Sequence, residues 1–75
     1  MIAAAVTLSP RQLEILAAVV LHGSVDEAAA SLCLSPATVA SHLRRARALT
    51  RQATLYQLVA WADDHCPGWR GVTAA

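Results

Sequence analysis

Apolar residues along the 75-residue chain recur mostly at intervals of three and four positions. Such spacing places them on one face of an amphipathic helix. It predicts four helices, at residues 10–21, 25–32, 36–49 and 53–65, and it predicts no strand. The expected fold class is therefore all-α, with four helices in a single domain over residues 1–75. We expect residues 1–7 and 69–75 to be loose or disordered.

The string Leu-Ser-Pro occurs twice, and each copy precedes a helical run. A serine hydroxyl before a helix accepts from its free N–H groups, and proline suits the first helical position because no donor is lost there. Ser9 and Ser35 are therefore predicted N-caps, and Ser24 is a third. Gln12 and Glu27 stand three residues after Ser9 and Ser24, which is the spacing of a capping box.

The composition indicates one small domain with a thin core. No signal-peptide pattern and no transmembrane span are present. We therefore expect a cytoplasmic protein with free thiols at Cys33 and Cys66, associated with the nucleoid when it is bound to DNA.

No enzyme chemistry is visible in the sequence. It contains no pairing of a nucleophile with a base and no phosphate-binding glycine loop. The adjacent His65 and Cys66 lack the paired ligand spacing of a zinc site. We expect neither a cofactor nor a metal, and no catalytic residue.

The distribution of charged residues points to a function. The net charge is only +1, but the charged residues are unevenly distributed along the chain. Four arginines lie within eight residues, at positions 44, 45, 47 and 51, and no acid occurs between Glu27 and Asp63. A nucleic acid responds to the local charge rather than to the total. This stretch therefore predicts a nucleic-acid contact.

The predicted helices 25–32 and 36–49 are separated by a very short break, and the second is the longer and cationic one. This is the arrangement of a helix-turn-helix motif. The start of the second helix offers the Ser35 and Thr38 hydroxyls together with free N–H groups, where a phosphate is favoured. We expect its outward face to carry Ala40, Ser41, Arg44 and Arg45.

Over about residues 8–49 the chain resembles the LuxR/FixJ/GerE-type helix-turn-helix, in "LSPRQLEIL" and "GSVDEAAASLCLSPATVASHLRRARAL". The most specific part of the resemblance is Ser35, Thr38, Val39 and His42 at family spacing. It implies a four-helix bacterial DNA-binding domain without a sensor, in which the third helix reads the major groove and the fourth forms a homodimer. The chain departs from this family's pattern at Cys33, where a glycine is usual in the turn.

These arguments assign three groups of site residues. The candidates for reading DNA bases are Ala40, Ser41 and Arg44. The candidates for DNA phosphate contacts are Ser35, Thr38, Arg45, Arg47 and Arg51. The candidates for the dimer interface are Leu55, Tyr56, Leu58, Val59, Trp61 and Ala62.

The preferred hypothesis is a sequence-specific DNA-binding transcription regulator, acting as a homodimer on double-stranded DNA and without membrane contact. A second hypothesis stays open, because "TVASHLRRARAL" also resembles region four of sigma factors. The domain would then be a protein-interaction module of the same fold that contacts RNA polymerase or another regulator.

Overall fold

The computed structural model describes residues 8–73. Within this range the chain is helical and contains no strand. The elements are α1 (Pro10–His22), α2 (Val25–Leu32), α3 (Pro36–Thr50), α4 (Leu55–His65) and a C-terminal 3-10 helix (Trp69–Thr73). The predicted all-α, four-helix class is confirmed.

Serine caps three of these helices, as the sequence predicts. The Ser9 hydroxyl accepts from the Gln12 N–H at 3.1 Å, and the Gln12 side chain accepts from the Ser9 N–H at 2.9 Å, so the capping box is complete. Ser24 accepts from the Glu27 N–H at 3.1 Å, but this second predicted box lacks the reciprocal bond from the Glu27 side chain. Ser35 caps α3 in the same way.

Helix α1 lies at the centre of the core and contacts α2, α3 and the C-terminal 3-10 helix. The largest fully buried side chains come from α1, α3 and α4; they are Ile15, Leu16, Val39 and Leu58. Helix α2 contributes Ala28 and Ala29, which are also buried. Because these methyl groups are small, α3 can pack closely against α2.

Helix α4 begins at Leu55, two residues later than predicted. The reason is the cap at Thr54, whose hydroxyl accepts from the Gln57 N–H at 3.1 Å. The Gln57 side chain in turn accepts from the Ala53 N–H at 3.0 Å. The spacing of Thr54 and Gln57 was a signal in the sequence that the assignment of residues 53–65 overlooked.

The prediction that residues 69–75 are loose is wrong for residues 69–73. Trp69 is only 3 % exposed and belongs to the core. Its indole Nε1 donates to Asp63 Oδ1 at 2.9 Å, and the Arg70 guanidinium donates to both oxygens of the same carboxylate. The buried ring and these bonds hold the segment against α1 and α4. The other segments predicted to be loose, residues 1–7 and 74–75, lie outside the described residues.

Candidate nucleic-acid interface

A hydrogen-bonded turn joins α2 to α3. Cys33 adopts a left-handed conformation with φ 59°, and the Leu34 N–H donates to the Ala29 carbonyl oxygen at 2.9 Å. This bond pattern is a common way to end a helix, and glycine is the residue that adopts the conformation without strain. The backbone therefore fixes the direction in which α3 leaves the turn.

One side of α3 is buried at intervals of four, three and four residues, at Val39, Leu43, Ala46 and Thr50. Since a helix turns once in about 3.6 residues, the opposite side is free of the core. We call this opposite side the outward face of α3. It consists of Ala37, Ser41, Arg44, Arg45 and Ala48, all exposed except the half-buried Ser41.

The start of α3 presents two hydroxyls that are bonded to each other. Ser35 Oγ accepts from the Thr38 N–H at 3.1 Å and lies 2.9 Å from Thr38 Oγ1. Whichever hydroxyl donates in this pair, one O–H proton is left for an acceptor outside the chain. Together with the positive end of the helix dipole, this proton favours an anion such as a phosphate.

The four arginines of α3 and its C-terminus differ in their surroundings. Arg44 and Arg45 are exposed on the outward face, and neither forms a salt bridge within residues 8–73. Arg47 is half-buried, and its Nη1 donates to the Ala53 carbonyl oxygen at 3.4 Å, towards α4. Arg51 is exposed and ends α3 with φ 59°.

The remaining two arginines are paired with acids. Arg11 Nη1 lies 2.6 Å from Glu14 Oε1, and Arg70 Nη2 lies 3.1 Å from Asp63 Oδ2. The hydrogen bonds from Arg70 and then from Trp69 hold the pKa of Asp63 below its usual value of 3.8, so this carboxylate stays charged. Since these pairs neutralise the other two arginines, the unpaired positive charge of the described chain is concentrated on α3.

The structure places the predicted base-reading residues unequally. Ser41 and Arg44 lie on the outward face, whereas Ala40 is half-buried at the margin of the core. Ala37, which is exposed on the outward face, was not among the predicted residues. The signal for it was helical phase, because Ala37 lies one turn before Ser41 and two turns before Arg44 on the same side.

The structure changes the predicted dimer interface more than it changes the predicted set of base-reading residues. Leu58 and Ala62 are completely buried in the core of this chain, so they offer no surface to a partner, and their assignment is corrected. Leu55, Val59 and Trp61 are half-buried and pack against the same core. Tyr56, at 84 % exposure, is the one member that points fully outward.

Two further properties of residues 8–73 concern other functions. None of their helices combines the length and apolar character needed to cross a membrane. Nor do these residues gather three or more histidine, cysteine, aspartate or glutamate side chains into a cluster fit for a metal ion.

A short helix, a tight turn and a longer helix with unpaired arginines on its free side define a helix-turn-helix DNA-binding domain. The model of the family described as "Bacterial regulatory helix-turn-helix protein, lysR family" matches residues 10–55, more than half of the chain. The chain belongs to this family, and a helix-turn-helix domain of this type indicates a DNA-binding transcription regulator. The match extends from the start of α1 to the first residue of α4.

The comparison supports the helix-turn-helix class expected from the sequence, but it finds the lysR family rather than the LuxR/FixJ/GerE type. No curated protein and no solved structure shows a significant match to the chain.

Proposed function

We propose that this domain binds a specific double-stranded DNA sequence by inserting α3 into the major groove, and that it regulates transcription from there. The observation that carries the proposal is the outward face of α3. It holds Arg44 and Arg45, which have no acidic partner among the described residues, whereas Arg11 and Arg70 elsewhere are paired. An α-helix fits the width of the major groove, and arginine is the side chain that most often reads bases there.

The polar residues of α3 and of its cap have separate proposed roles. Arg44, near the middle of the outward face, donates to a guanine, and the Ser41 hydroxyl lies one turn closer to the start of α3. Ala40 stays a candidate at the edge of this contact. The free hydroxyl proton of the Ser35–Thr38 pair and the N–H of Ala37 bind a phosphate, since Pro36 has no N–H and the Thr38 N–H already donates to Ser35.

The other arginines contact the DNA backbone. Arg45 and Arg51 are exposed and free to reach phosphates on either side of the groove. Arg47 uses one N–H for the Ala53 carbonyl oxygen, and a guanidinium has five such donors. Arg47 can therefore bind a phosphate while it keeps its position beside α4.

The assembly we propose is a homodimer through the exposed side of α4, on which Tyr56 is 84 % exposed. The exposed residues Tyr56, Ala60 and Asp64 follow one another at intervals of four along this helix. In an antiparallel pair about a two-fold axis at Ala60, the Tyr56 hydroxyl lies near Asp64 of the partner subunit and can donate to it. Such a dimer sets two α3 helices about 34 Å apart, one turn of DNA, and reads an inverted repeat.

Sedimentation at micromolar concentration, free and on DNA, tests the dimer. The parent should sediment as a dimer, and Tyr56→Glu should sediment as a monomer because two carboxylates would then face each other. Arg11→Glu, a change at an exposed position of α1, is the control and should leave the dimer intact. A parent that is monomeric both free and on DNA refutes the dimer and leaves the DNA-binding proposal in place.

A titration of labelled duplex at several salt concentrations tests DNA binding itself. Each phosphate contact releases counterions, so the logarithm of the binding constant should fall with the logarithm of salt, by about 0.9 per contact. Binding that is absent, or independent of salt, refutes the proposal. Capture of RNA polymerase without DNA binding would then favour the second hypothesis, a protein-interaction module. The proposed location is the bacterial cytoplasm, on the nucleoid.

A further inference from the structure

The outward face of α3 is chemically divided along its length. Its first turn exposes the Ala37 methyl group, while the nearby hydroxyls of Ser35 and Thr38 are bonded to each other. The first long donor on this face is Arg44, two turns later. The early part of the face therefore offers apolar surface to a base, and the later part offers hydrogen-bond donors.

The edges of base pairs in the major groove are mostly hydrogen-bonding groups, and the C5-methyl group of thymine is the apolar exception. Residues near the start of a recognition helix contact the base edges. Because the Ala37 side chain is short, the helix backbone must lie close to the base that it contacts. An exposed alanine there fits a methyl group better than it fits a donor or an acceptor.

We infer that Ala37 selects the C5-methyl group of a thymine, and that Arg44 selects a guanine further along the same half-site. The inference rests on the proposed function. The family match and the unpaired arginines support DNA binding by α3, and Ala37 determines only which base is preferred at one position. Seven residues of helix separate the two side chains, or about 10 Å. The thymine and the guanine should therefore lie within a few base pairs of each other in one half-site.

The first experiment selects bound duplexes from a pool with a random central segment and sequences them. The parent should enrich a motif with a fixed thymine and a fixed guanine within a few base pairs of each other. Ala37→Gly should lose the thymine preference alone and keep the guanine. Ala30→Gly removes the same methyl group from an exposed position of α2, outside the proposed DNA-binding surface, and it should leave the motif unchanged.

The second experiment replaces the enriched thymine by deoxyuridine, which removes the methyl group and keeps the base pairing. Loss of one buried methyl group should weaken parent binding about fourfold. The same replacement should change the affinity of Ala37→Gly less than about twofold. Circular dichroism at the assay temperature confirms that both glycine variants are folded.

The outcomes separate this inference from the proposal on which it rests. If neither the parent nor any variant enriches a duplex, the proposed function is refuted. If the parent enriches a motif that Ala37→Gly leaves unchanged, or if deoxyuridine weakens both proteins equally, DNA binding stands and the role of Ala37 is overturned.

Discussion

Helices α1 and α3 begin in the same way and face different surroundings. Each follows a Leu-Ser-Pro string, and in each the serine hydroxyl accepts the same kind of N–H bond at 3.1 Å. Beyond the cap, α1 buries six residues and α3 buries four, although α3 is two residues longer. The arginine of α1 is paired with Glu14, whereas Arg44 and Arg45 of α3 are not paired.

The comparison teaches that the cap determines where a helix begins, and that the residues after it determine what the helix does. Helix α1 is covered by α2, α3 and the C-terminal 3-10 helix, so it supports the domain. Helix α3 keeps one side uncovered and carries Arg44 and Arg45 there. If this division is correct, changes in α1 should affect stability, and changes on the outward face of α3 should affect DNA binding.

The largest expected effect is the loss of stability caused by a change in the core. Ile15 of α1 is fully buried, so Ile15→Ala should lower the free energy of unfolding by about 2–5 kcal/mol. Val20→Ala, at a position of the same helix that is 36 % exposed, is the matched control and should cost about 0.5 kcal/mol. Urea unfolding measures both. The DNA affinity per folded molecule should be unchanged. A large loss of affinity would contradict the separate roles of α1 in stability and α3 in DNA binding.

The next effect is on recognition. Arg44→Ala should weaken binding to the selected DNA by about 1–3 kcal/mol and relax the preference at one base position, with little change in stability. Arg47→Ala should weaken binding to selected and random duplexes alike, because a phosphate carries no sequence information. Equal binding of selected DNA by Arg44→Ala and the parent would show that Arg44 does not read a base.

The caps themselves give a matched pair of variants. Ser9→Ala and Ser35→Ala should each lower stability by about 0.5–2 kcal/mol, because each leaves a helix start without its acceptor. Only Ser35→Ala should also lower DNA affinity, since its hydroxyl belongs to the proposed phosphate site. Equal affinity losses, measured where both variants are folded, would contradict the separate roles of the two Leu-Ser-Pro strings.

Much of the fold was predictable because its signals are local. The serine caps and the period of apolar residues predict α1, α2 and α3 to within one residue. Trp69 was not predictable in this way. Its burial depends on contacts with α1 and with Asp63, a side chain six positions away on another element.

The site was only partly predictable for a similar reason. A charge count over residues 44–51 indicates the cationic helix, but it does not show which arginines are paired. The salt bridges of Arg11 and Arg70, and the bond from Arg47 to Ala53, follow from the packing of neighbouring elements. Leu58 and Ala62 were assigned to the dimer interface, yet they fill the core of their own chain.

The smallest expected effect is on the stability of the fold at low pH. The pKa of Asp63 is lowered by Arg70 and Trp69, so its bonds stabilise the fold above the unfolded value of 3.8 and are lost as the pH falls below it. Asp63→Asn should therefore flatten the fall in stability in that range. Unfolding at several pH values between neutral and about 2.5 checks this. An unchanged slope would show that the Asp63 bonds contribute nothing to the acid sensitivity.

The most direct test of the central claim compares two double variants of equal charge. Arg44→Ala with Arg45→Ala removes the unpaired arginines of α3, and Arg11→Ala with Arg70→Ala removes the paired ones. Each lowers the formal net charge of +1 by two. Duplex affinity at fixed salt, with both proteins shown to be folded, should fall at least about tenfold for the first pair and less than about twofold for the second. Equal losses would mean that only total charge attracts DNA, and would contradict α3 as the DNA-binding surface.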